Sequence, residues 1–142
     1  MTASILGNEL ENQKALAFER RLGFVLLHKD QVTQQKDRGF IHSISRQIQT
    51  IGGAFVPTDE QGKWLVDIEG RIHGGANHTK LQDKLVAQGE DIVRKGDHSR
   101  LGSFKLQRLA DLVNAGGERE LTQYELSDLQ FLVHAAGGGG AD

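Results

Sequence analysis

At 142 residues, with a formal net charge of −2, one proline and no cysteine, the chain is long enough for one compact core and too evenly charged to coat a polyanion. The missing cysteines exclude disulfide frameworks, thiolate zinc sites and cysteine nucleophiles, and they fit a reducing compartment. Glu9, Glu11, Lys14, Glu19, Arg20 and Arg21 break up what would be the apolar run of a signal peptide, and no stretch approaches the roughly 20 apolar residues that span a bilayer, so a cytoplasmic protein with no membrane partner is expected.

From Asn8 to about His28 the pattern is helical, with Ala15, Phe18, Leu22, Val25 and Leu26 on one stripe and Gly23 as its weak point. The period alone leaves residues 23–27 open to a short strand, although helix is the reading taken. Residues 29–39 hold a single apolar side chain, Val32, and read as a solvated loop. Ile41, Ile44, Ile48 and Ile51 then recur at i, i+3, i+7 and i+10, one face of a helix that closes at Gly52-Gly53. Four β-branched residues are mediocre helix formers, so this helix depends on burying its stripe. A two-stranded β-hairpin is expected next, with Ala54-Phe55-Val56, a turn at Asp59 to Gly62, and a second strand from Lys63 to Ile68. In that strand Trp64, Val66 and Ile68 would share one face and pack on the isoleucine helix.

Residues 70–78 are glycine-rich and irregular, and Thr79 with Gln82 has the spacing of a capping box that opens a helix. Leu81, Leu85 and Ile92 define its buried face, and Gly89 on the same stripe implies a close helix–helix approach, with Gly96 as the stop. Ser103 is expected to cap the next helix, which ends at Gly116-Gly117, and Thr122 with Glu125 makes a second capping box for the last one. These two helices should form an antiparallel pair, and residues 137–142, with nothing to bury, a disordered glycine-rich tail. The expected architecture is α+β and mostly helical: four to five helices and one two-stranded β-hairpin in the middle of the chain, in a single globular domain over residues 1–136.

A helix, a glycine turn and a hairpin follow the order of a recognition helix and its wing. In that reading Ser43, Arg46, Gln47 and Thr50 face a major groove while Lys36 and Arg38 touch phosphates. Against it stand the acidic tip at Asp59 and Glu60 and the lack of an apolar helix before the turn. A solvated helix face accounts for the same residues more simply. A second candidate is the glycine-rich entry to the following helix, where Arg71, Gly74, Gly75, Asn77, Thr79 and Lys80 could hold an anion; the phosphate-loop spacing is absent.

His73 and His78 sit in that loop without a third ligand, and the stretch from Asn114 to Glu125 has Arg119 where a calcium loop needs glycine, so no metal or other cofactor is expected. No nucleophile elbow or zinc-protease motif is present, and no catalytic residue is assigned. The expectation is a small non-enzymatic protein–protein interaction or assembly module within a larger complex. The alternatives are a winged-helix-like nucleic-acid binder using residues 36–68, or a small enzyme or nucleotide binder at residues 70–80.

Overall fold

The computed structural model describes residues 2–52, 55–73, 77–95 and 101–136, with side chains from Lys14 onward. The tail at 137–142 and the expected stop at Gly96 therefore lie outside the described residues. Helix α1 (Thr2–Leu27) leads through a 3-10 turn (Lys29–Gln31) to α2 (Gln35–Ile51), α3 (Asp59–Gly70), α4 (His78–Lys95), α5 (Gly102–Gly116) and α6 (Gln123–Ala135). No strand occurs among the described residues, so the expected α+β class is corrected to all-helical.

The hairpin fails for a local reason. Thr58 accepts a hydrogen bond from the Gln61 amide at 3.1 Å, and the Gln61 side chain accepts one from the Thr58 amide at 2.9 Å. This capping box sets the start of α3, and Asp59 and Glu60 in the first turn suit the positive end of the helix dipole. The alternation of Trp64, Val66 and Ile68 is accidental: Leu65 and Ile68 are buried at helical spacing, while Trp64 and Val66 are exposed. Leu65, which a strand would have turned away from the core, is fully enclosed. Thr79 lies inside the first turn of α4 rather than capping it, and α5 begins at Gly102 with no side-chain cap, so Ser103 is internal as well. Thr58→Ala should therefore lose about 0.5–2 kcal/mol in a denaturant titration, while Thr79→Ala should stay within about 0.5 kcal/mol. A neutral Thr58→Ala would mean that α3 does not start at this box.

The hub of the molecule is α6. Leu126, Leu129, Phe131, Leu132, Val133 and Ala135 are buried on several sides of it, a pattern that requires neighbours all round. Those neighbours are α1, α2, α4 and α5, each of which packs against it. The closest approach is at Gly23 of α1, where an added Cβ would sit 1.9 Å from the Ser127 carbonyl oxygen. Gly89 plays the same part between α4 and α5, where a Cβ would meet Val113 Cγ2 at 2.5 Å, as its place on the apolar stripe implied. The isoleucine stripe of α2 is buried at Ile41, Ile44 and Ile48, and the helix packs on α6 rather than on a hairpin; Ile51 is exposed.

The expected loop at 29–39 is largely structured. Asp37, in the first turn of α2, is buried and accepts from Trp64 Nε1 at 2.8 Å and from the Arg71 guanidinium. Phe40 stacks on Trp64 with ring centroids 4.3 Å apart, so these contacts join α2 to α3. On the opposite side of the chain order, Asp128 of α6 receives two hydrogen bonds from Arg20 and one from Arg108, each at 3.0 Å. Lys105 reaches the buried Glu19 at 2.5 Å. Burial pushes the Glu19 carboxyl above its ordinary range, and Lys105 offsets only part of that. Gln82 of α4 is buried and holds the α5–α6 turn: its amide donates to the carbonyls of Gly116 at 3.0 Å and Arg119 at 2.8 Å, and its oxygen accepts from the Leu121 amide at 2.8 Å.

Candidate functional site

Helices α2 and α4 each pack against α6 and not closely against one another, and a trough of about 630 Å³ lies between them. The wall from α2 presents Arg38, Ile41, His42, Ser45, Arg46 and Gln49. These positions fall at i, i+3, i+4, i+7, i+8 and i+11, which is one continuous helical face. Leu81, Lys84, Leu85 and Gln88 supply the facing wall from α4. The polar residues of α6 that break its apolar surface, Gln130 and His134, also line the trough, four residues apart. Leu26 and Leu27 from the close of α1, with Lys29, Asp30 and Val32, complete it.

Two contacts set the geometry. Arg38 donates from Nε to the Val32 carbonyl at 2.6 Å, which fixes its guanidinium at the end where the 3-10 turn enters α2. His134 donates from Nε2 to the Ser45 carbonyl at 3.2 Å and ties α6 to α2. Electrostatically the trough is one-sided: Lys29, Arg38, Arg46 and Lys84 face a single carboxylate, Asp30. Arg46 and Lys84 make no ion pair among the described residues.

Outside the trough Lys36, Lys63 and Lys80 likewise make no ion pair among the described residues, but the arginines are engaged. Arg20 and Arg108 are engaged by Asp128, Arg21 by Glu69, Arg71 by Asp37, and both Arg94 and Lys95 by Asp91. Arg119 pairs with Glu125, and together with the Thr122 amide it draws that carboxyl down to about 2. Glu125 thus serves the expected capping box, which is present at the start of α6.

Of the residues the sequence offered for nucleic acid, Arg38 and Arg46 enter the trough and Lys36 does not. Ser43, Gln47 and Thr50 point to another face and bond within their own helix: Gln47 to Ser43 Oγ at 3.4 Å, and Thr50 to the Arg46 carbonyl at 2.9 Å. The wing expected beyond them is α3. Of the loop offered for an anion, Gly74 and Gly75 lie outside the described residues, and Arg71 is turned to Asp37. Asn77 holds a positive φ of 74° just before α4, and Thr79 and Lys80 are exposed in its first turn.

Sequence reasoning missed Lys29, His42, Lys84, Gln88, Gln130 and His134. The readable signal was Arg38-His42-Arg46 at i, i+4 and i+8, a basic line beside the isoleucine stripe. The other histidines disperse: His78 donates to the Leu121 carbonyl at 2.7 Å, and His28 is buried edge-on to Phe24. No group of three or more His, Asp, Glu or Cys side chains suited to a metal occurs among the described residues.

A second groove, of about 740 Å³, runs between α1 and the start of α3 past Phe18, Val56, Pro57 and Val66. Its charge is weaker, because Arg21 is paired with Glu69 at 3.3 Å and Asp59 opposes Lys14 and Lys63. Comparison with known proteins finds no matching family model, no matching curated protein and no matching solved structure.

Proposed function

We propose that the protein is a non-enzymatic interaction module that works within a larger assembly and holds an acidic segment of a protein partner in the α2–α4 trough. The observation that carries this reading is the gathering of Lys29, Arg38, Arg46 and Lys84 around one carboxylate in a chain whose formal charge is −2. Leu81 and Leu26, both half-buried in the lining, favour a partner that brings apolar side chains as well as charge. A phosphate backbone gains from the cations but has nothing to lay on half-buried Leu81 and Leu26. Among the described residues Ser45 is the only one with a hydroxyl that lines the trough, and His134 bonds its carbonyl oxygen, which gives no activated nucleophile there. A cytoplasmic setting accords with the absence of cysteine, and no helix among the described residues is long and apolar enough to cross a membrane.

The test is a fluorescence-anisotropy titration with a dye-labelled peptide of alternating Glu and Leu content, beside single-stranded RNA and duplex DNA of matched length, at low and moderate salt. Saturable peptide binding is expected, with a loss of about tenfold or more in an Arg46→Glu, Lys84→Glu variant whose thermal midpoint is unchanged. Peptide binding indifferent to that double reversal would overturn the reading. Nucleic-acid binding that the reversal removes, without peptide binding, would transfer the site to the polyanion alternative.

A further inference from the structure

We infer that the occupant of the trough is an acidic amphipathic α-helix, lying along α2 and α4 as one more helix against α6. This inference rests on the proposed trough, and three observations carry it.

The first is the spread of charge. Arg38 and Arg46 stand eight residues apart on α2, which at the helical rise is roughly 12 Å. A single phosphate or carboxylate cannot meet both, and Lys84 holds the opposite wall. The cations therefore match a row of carboxylates, and glutamates at i, i+4 and i+8 of a helix repeat at the same interval.

The second is the interleaving of apolar positions. Leu81, half-buried, stands one turn from exposed Lys84 on α4, and half-buried Leu26 lines the trough from the close of α1. A ligand that satisfies both sets carries acidic and apolar residues on adjoining faces.

The third is backbone hydrogen bonding. An extended peptide seated here would bring about a dozen amide and carbonyl groups into a trough walled by helices, whose own backbone groups are already paired. Strand addition needs a sheet edge, and no strand occurs among the described residues. The lining amides Gln49, Gln88 and Gln130 cannot serve so many groups. A helix satisfies its backbone internally and needs only side-chain contacts.

The experiment compares three peptides of identical composition, rich in Glu and Leu, against the intact protein. One has Leu at i, i+3 and i+7 with Glu at i+4 spacing, one is scrambled to remove the stripe, and one keeps the stripe but exchanges two central residues for D-residues that break the helix. The amphipathic peptide should bind about tenfold or more tightly than either control, because the controls must give up either apolar contact or backbone order. Its circular dichroism should gain helix on titration with protein, and Arg46→Glu with Lys84→Glu should abolish the gain. Equal binding of all three, still lost in the charge-reversed protein, would sink the helical occupant while leaving the basic trough intact. Binding unaffected by the reversal would sink both.

Discussion

Gly23→Ala should be among the most damaging single changes this protein can carry. A Cβ at position 23 would lie 1.9 Å from the Ser127 carbonyl oxygen and 3.3 Å from the Phe131 amide nitrogen, both backbone atoms of α6. Neither neighbour is a side chain that can swing away, so α1 and α6 would have to separate along their length. Alanine is the better helix former by about 1 kcal/mol, and overpacking a core costs typically 1–3 kcal/mol and occasionally more. With backbone as the obstacle and the hub helix displaced, the clash should win by a wide margin. Gly39→Ala is the control: Gly39 lies inside α2, and a Cβ there meets nothing within 4 Å. That variant should gain roughly 0.5–1 kcal/mol in urea titration. Gly23→Ala with wild-type stability would show that the two helices do not approach as closely as described.

Gln82→Met should be nearly as costly, for a chemical rather than a steric reason. The thioether fills similar volume but leaves the Leu121 amide, next to a side chain only 2 % exposed, without its acceptor. An orphaned buried group costs about 1–3 kcal/mol, and each of the two carbonyl bonds lost adds roughly 0.5–1.5 kcal/mol. Hydrogen exchange localises the effect: the Leu121 amide should lose protection well beyond the global change in stability. Retained protection there, with a stability loss under about 1 kcal/mol, would mean that water replaces the glutamine.

What could be read in advance follows from how local the determining interactions are. The stripe of Ile41, Ile44 and Ile48 is a periodic signal confined to one helix, and burial follows it. The Thr122–Glu125 box is likewise complete within four residues. The same signature stands at Thr58–Gln61, where it prevails in the fold over six residues of chance alternation from Lys63 to Ile68. The Thr79–Gln82 spacing misled in the other direction, because Gln82 is drawn to the distant α5–α6 turn instead of its own helix start. Asp37 could not be recognised as buried, since its donors Trp64 and Arg71 lie 27 and 34 positions away. The trough shares that difficulty: Arg38 and Arg46 stand out beside one stripe, whereas Lys84 and His134 join them only once α6 has brought α2 and α4 together.

The position of α6 in the chain bears on how the molecule is made. Arg20 and Asp128, which pair across the α1–α6 contact, are 108 residues apart in sequence, so the largest helix–helix interface is also among the least local. Helices form in about a microsecond, but ribosomes add only about 5–20 residues per second. Some 5–20 s therefore separate the synthesis of α1 from that of its partner, at those rates. During that interval Leu22, Val25, Ile44 and Ile48 have no hub to cover them, although each is among the most enclosed side chains in the finished protein. Folding is in this sense deferred to the last helix, and the nascent chain presents several sticky amphipathic faces at once to any chaperone waiting at the tunnel exit.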